Sequence, residues 1–172
     1  ALHGTTRTGL EGIAALPSSL AAISKAVTGA YLSSEGNAFS TRTASQIVQE
    51  HFNVGEENQA SGPLFGVQFS QLACSDLNRR INDDMGIHRP GPKRSPLGLA
   101  ADAGGFPLYK NETVVGGIGV IADGEYGLDP NIQDRDDNID EKIAWAATFG
   151  FVAPQERRAN FITVDGKNFR YT

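Results

Sequence analysis

The stretch "GGFPLYKNETVVGGIGV", Gly104 to Val120, constrains the fold more than any other part of the chain. Two apolar runs, Phe106 to Tyr109 and Thr113 to Val120, flank Lys110, Asn111 and Glu112, the composition of a β-hairpin with a short polar loop. Gly104 and Gly105 permit a tight turn into the first strand. Gly116, Gly117 and Gly119 weaken the second strand unless something packs closely there. Gly117 and Gly119 share one side, so this bare face is expected to meet a helix, a neighbouring subunit or a flat ligand.

Helical spacing places Leu20, Ile23, Val27, Ala30 and Tyr31 on one stripe of "LPSSLAAISKAVTGAYLSS", with Pro17 and Ser18 as start residues. A second, shorter helix is expected in "STRTASQIVQEHF", where Ala44, Ile47, Val48, His51 and Phe52 share a face. "PLFGVQFSQL" alternates like a strand through Phe65, Val67 and Phe69. Between Cys74 and Pro96 the charges, prolines and glycines mark a long excursion. Asn138, followed three residues on by Glu141, marks a helix start; Ile139, Ile143 and Ala147 form its stripe, and Gly150 follows its end. Asp165-Gly166 between apolar-alternating runs signals a terminal hairpin.

The 172 residues, 40% hydrophobic and 20% charged, suit one globular core, so residues 1–172 are expected to form one domain. A net charge of -5 argues against nucleic acid or an anionic membrane surface as partner. No run reaches the roughly 18 apolar residues of a membrane span, and the chain reads as soluble. The lone Cys74 supplies neither an internal disulfide nor a CxxC metal site. A start at Ala1 rather than Met favours an exported chain.

"AGGFPLYKNETVVGGIGV", followed some twenty residues later by "DEKIAWAATFGF", resembles the C-terminal half of the GlcG/HbpS-like haem-binding family, in which a "GG.P…G..VGGIGV" hairpin precedes a "D…A..G" helix. Lys25, Ala26, Thr28 and Ala30 match that family's Lys-Ala-x-Thr-Ala helix, with Gly29 where Ala is usual. The likeness covers about residues 18–48 and 98–151. It implies an α+β fold, a mainly antiparallel sheet flanked by helices, commonly in oligomers, with some members binding or degrading haem and others assisting small-acid or cobalamin metabolism. Two departures stand out. The family's first helix and its "VVD..G" hairpin have no counterpart, so the chain is a fragment or a second chain supplies those strands. A long insert at about 52–97 is also unlike compact members.

The leading expectation is a small-ligand-binding protein for haem or another tetrapyrrole. The alternatives are an enzyme or accessory protein acting on a small organic acid, and an oligomeric assembly module. His51 and His88 are the candidate axial ligands, with a hydrogen-bonded, partly buried histidine as the simpler reading of His51. Arg42 and Arg89 are candidate partners for carboxylates, because a guanidinium offers them a planar fork. Gly117 and Gly119 would let a flat ligand approach the backbone. Asp134, Asp136, Asn138 and Asp140 alternate as in calcium loops but lack the glycine and glutamate of an EF-hand, so an irregular Ca²⁺ site competes with a solvated acidic lead-in to the helix. No HExxH, GxSxG or phosphate-loop motif supports a particular catalytic chemistry.

Overall fold

The computed structural model describes residues 15, 17–51, 57–65, 98–124, 126, 127, 129, 131 and 136–172. The glycine-rich stretch forms the expected hairpin: β1 (Gly105–Lys110) pairs antiparallel with β2 (Thr113–Gly119), from Gly105 opposite Gly119 to Lys110 opposite Thr113. Asn111 and Glu112 turn the chain at φ +48° and +63°, the left-handed pair that fits the twist of a two-residue hairpin loop. A register shift between Leu108 and Tyr109 leaves Val115 without an opposite residue, a bulge that bends the strand.

The bare face is filled from within the chain. Helix α1 (Ser18–Leu32) lies on it so closely that a Cβ at Gly117 would strike the carbonyl of Ala26, and one at Gly119 would sit 2.7 Å from the Ala26 nitrogen. Gly29 of the helix reciprocates, since its Cβ would lie 2.9 Å from the Phe106 oxygen. Gly117 and Gly119 therefore serve helix packing, which corrects their expected role as a ligand platform. The same contact overturns the expected inward stripe. Only small or slender side chains fit between the two backbones, so α1 buries Ser24, Lys25, Thr28 and Gly29, and leaves Ile23 46% and Tyr31 52% exposed.

Helix α2 (Thr41–Ile47) is buried along its whole length despite its polar sequence. The Ser40 side chain accepts from the Thr43 N–H, while the Ser40 N–H donates to Thr43 Oγ1, a reciprocal cap. The helix ends at Ile47, with Val48 as its cap, a turn short of His51, while Phe52 lies outside the described residues. Leu64 N–H takes the Ile47 carbonyl at 2.9 Å, the acceptor that a further turn would have used.

Across the sheet from α1, helix α3 (Ile139–Ala147) and the C-terminal segment build the core. Phe106 meets Trp145 and Tyr171 edge-on at 5.6 and 5.5 Å. Two short 3₁₀ turns, Gln155–Arg157 and Ala159–Phe161, carry the chain past Ala38, which bonds to Arg157 and Ala159 on either side. The expected terminal hairpin is present as β3 (Thr163–Val164) and β4 (Lys167–Asn168), turning at Asp165 and Gly166 with φ +49° and +77°.

The described residues thus form an α+β fold with two small antiparallel sheets. No helix among them is long and apolar enough to cross a membrane. Of "PLFGVQFSQL", Pro63 to Phe65 form a turn and the rest lies outside the described residues. So does most of the 52–97 insert, with Cys74, His88 and Arg89, and so does Asp134.

Candidate functional site

The first turn of α3 organises two buried charge centres. Asn138 accepts from the Glu141 N–H and fixes the helix start, so the adjacent Asp140 and Glu141 leave the helix about 100° apart, towards different neighbours. Asp140 reaches α1 and Glu141 reaches α2.

Lys25 is fully buried, and its Nζ lies 3.0 Å from Asp140 Oδ2, 3.0 Å from Asp102 Oδ2, 2.6 Å from the Ala103 carbonyl and 3.0 Å from the Val120 carbonyl. Four acceptors surround three ammonium protons, which makes Lys25 a structural cation that ties α1 to the ends of the hairpin. Asp140 Oδ1 accepts from the N–H groups of Ala122 and Gly124, so both its oxygens are used within the fold.

Arg42 is 4% exposed and meets three carboxylates. Its Nε and Nη2 form a two-pronged contact with Glu141 at 2.8 and 3.1 Å, while Nη1 reaches Asp129 at 2.7 Å and Asp136 at 2.5 Å. Burial works against its charge. The hydrogen bond and charge of Glu141, then those of Asp136, outweigh that effect and raise its pKa above the usual arginine value.

Beside this centre lies a cavity of about 500 Å³, lined by Arg42, Asp136, Asp137, Glu141, Lys142, Trp145, Arg170 and Thr172. Arg170 has its backbone locked to α2, with its N–H donating to Gln46 Oε1 at 2.9 Å and its carbonyl accepting from Thr43 Oγ1 at 2.6 Å. Its guanidinium makes no hydrogen bond or ion pair with any described residue. Lys142, by contrast, pairs with Asp137 at the surface, where solvent screens the attraction. Trp145 is held by Phe106, by Tyr171 at 6.1 Å, and by the Arg158 guanidinium 5.1 Å above its ring. No family model, curated protein or solved structure matches this chain.

The structure distributes the expected site residues unevenly. Arg42 lines the cavity, but its fork is occupied by the chain's own carboxylates rather than offered to a ligand. The described members of the acidic series, Asp136, Asn138 and Asp140, do not converge on one site: Asp136 faces Arg42, Asn138 caps α3 and Asp140 serves Lys25. Among the described residues no group of three or more His, Cys, Asp or Glu is arranged to hold a metal ion. His51 lies past the end of α2, half-buried and away from the cavity lining. Its Nδ1 is buried with no hydrogen-bond partner, against the hydrogen-bonded state expected of it.

Arg170 and Trp145 are the cavity residues that motif reasoning misses. Arg170 follows the signalled terminal hairpin, and only the tertiary fold brings it to α3. Lys25 had a signal of its own: a single cation amid the small and apolar residues of "LAAISKAVTGAY" needs a buried partner once that helix packs.

Proposed function

We propose that this chain binds a small organic acid in the Arg42 cavity. One observation supports the reading above others: Arg170 contributes a guanidinium that has no partner among the described residues to a cavity walled by Trp145, a planar cation beside an aromatic surface. Arg42 and Glu141 act as the rigid floor, because each holds the other's charge and neither must be desolvated again when a ligand enters. Trp145 is the only tryptophan of the chain, so its emission reports the cavity directly. Titration with mono- and dicarboxylates is expected to change that emission saturably, and Arg170→Ala to weaken binding about tenfold or more. Unaltered emission with every carboxylate, or equal affinity in the Arg170→Ala variant, overturns the reading.

A second reading is tetrapyrrole binding, favoured by the resemblance to the GlcG/HbpS-like family and by the orphaned Nδ1 of His51, a donor type that haem iron accepts. Packing of α1 on Gly117 and Gly119 closes the glycine face to a flat ring, so haem would need a place of its own beside His51. Micromolar haemin is expected to give a Soret shift that His51→Ala abolishes. Absence of that shift removes this reading and leaves the cavity untouched.

Self-association belongs to the same proposal. Ile139 and Ile143 of α3 are each 43% exposed, and Phe149 just past its end is 90% exposed. Two copies of α3 crossing antiparallel about Ile143 would set each Ile139 against an Ala147, large against small, with opposed helix dipoles. A second copy is the occupant this face fits.

A further inference from the structure

The outer edge of β2 is open. Gly105 donates its N–H to Thr41 Oγ1 at 2.9 Å, Pro107 has no N–H, and Tyr109 donates to the Phe151 carbonyl at 2.8 Å, so these alternate residues of β1 turn their bonding groups away from β2. By the alternation of an antiparallel ladder their opposite numbers, Gly119 and Gly117, do the same, and the N–H and C=O groups of both point past the sheet edge with no partner among the described residues. Thr113 to Val120 carry neither a charge nor a proline, the devices that commonly protect such an edge. The helix flank beside it is uncovered as well. Ala22 and Ala26 of α1 lie on Gly119 and Gly117, while Lys25 and Gly29 lie against Gly105 and Phe106 of β1. At about 100° per residue, Ile23 and Ala30 come next round the helix on the side away from β1. Ile23 is exposed, and so is Val115 on the strand.

We infer that this edge takes an extended strand from a partner protein, uncharged and with large β-branched or aromatic side chains opposite Gly117 and Gly119. Main-chain hydrogen bonds hold such a strand and its alternate side chains select it. The side chains opposite the two glycines project on the α1 side of the sheet, beside the flank of Ile23 and Ala30. There they supply the cross-strand contact that a glycine lacks, which is how a large neighbour stabilises glycine at a sheet edge. A charged strand is rejected, because neither Thr113 to Val120 nor the Ile23, Val27 and Ala30 flank holds a counter-charge for it. A second copy of β2 is the poorer occupant, since it brings its own glycines and bulge and leaves the glycine positions unfilled. No residue of β2 or α1 lines the Arg42 cavity, so this surface stands apart from the ligand reading.

The probe is a fluorescent peptide of alternating Thr and Val, with Tyr at its centre and Lys at each end, and its anisotropy reads binding. Saturable binding is expected. Residues opposite Gly117 and Gly119 exchange hydrogen bonds with them, so N-methylation of the Val and Tyr positions should abolish binding, while N-methylation of the Thr positions should leave it within about twofold. Ile23→Lys and Val115→Lys each put a charge at an exposed position, so both are expected to keep the wild-type circular dichroism and to weaken the peptide about tenfold or more. Ile143→Lys, on the other side of the sheet, should leave it unchanged. No binding, or equal behaviour of the two N-methylated peptides, overturns the inference. So does full affinity in both Ile23→Lys and Val115→Lys. A dimer that survives Ile143→Lys and is lost in Val115→Lys also overturns it, by making a second copy the occupant of the edge.

Discussion

Gly116, Gly117 and Gly119 stand within one strand and face different surroundings. A methyl at Gly117 or Gly119 would run into the backbone of α1 at Ala22 or Ala26, which cannot yield without moving the helix. A methyl at Gly116 would meet nothing within 4 Å. Gly117→Ala is therefore expected to destabilise by at least about 2 kcal/mol through overpacking, and Gly116→Ala to be neutral or to stabilise by about 0.5–1 kcal/mol through lost chain entropy in the unfolded state. Urea denaturation of the two variants reads the difference. Tyr171 poses the converse case. It is 3% exposed and its hydroxyl has no hydrogen-bond partner, so burial, only partly countered by the nearby Arg158 charge, pushes its pKa up. Above the unfolded value of about 10 the unfolded chain loses a proton that the folded chain keeps, so stability falls as pH rises, by up to about 1.4 kcal/mol per pH unit for one such tyrosine. Below pH 10 this contribution is fully present. Tyr171→Phe should flatten the alkaline limb of the stability profile and, by removing an unsatisfied hydroxyl, raise stability near neutrality by about 1 kcal/mol. Tyr109, whose pKa burial also raises, keeps part of the slope.

Helices α1 and α3 show which parts of an element can be read locally. The Pro17 and Ser18 start, the Asn138 cap on Glu141 and both left-handed hairpin turns follow from neighbouring residues, and all of them form. Facing does not follow from neighbours. Periodicity turns Ile139 and Ile143 inward, yet α3 buries Asp140, Glu141 and Ala144. The cause lies far along the chain, in Lys25 and Arg42, two cations committed to the interior by the packing of α1 and α2. A buried cation without a counter-charge costs more than two half-exposed isoleucines. The same long-range pairing hides the cavity, because Arg170 reaches it only through Gln46 and Thr43. If the pairing sets the rotation of α3, breaking it is costly. Lys25→Met leaves the fully buried Asp140 uncompensated and is expected to lose about 3–5 kcal/mol in chemical denaturation. Adding Asp140→Leu should recover part of this, though not all, since Ala122 and Gly124 then lose their acceptor. A single variant as stable as the wild type would show that the packing of Trp145 and Ala144, rather than charge, orients the helix.

At the scale of the molecule, both helices turn polar or small faces to the hairpin and present apolar ones to the outside. Ile23 and Tyr31 on α1, and Ile139 and Ile143 on α3 with Phe149 beyond it, are all more than 40% exposed. Scattered exposed apolar residues are ordinary, but a stripe at helical spacing is a surface that a second helix can cover. The α3 stripe is short, nine residues from Ile139 to Ala147, so a pair built on it alone falls at the small end of interface sizes and should form weakly, in the manner of transient complexes below about 1,200 Å². Sedimentation velocity across a wide concentration series is thus expected to show a monomer at low concentration and a dimer growing in at high concentration. Ile143 lies at the crossing point, where a charge in each copy would face its own image. Ile143→Lys should abolish the dimer while leaving the circular dichroism and the Trp145 response to carboxylates unchanged, because Ile143 does not line the cavity. A dimer that persists in Ile143→Lys places the contact on another face, α1 being the next to examine through Tyr31, and a monomer at every concentration removes self-association through α3.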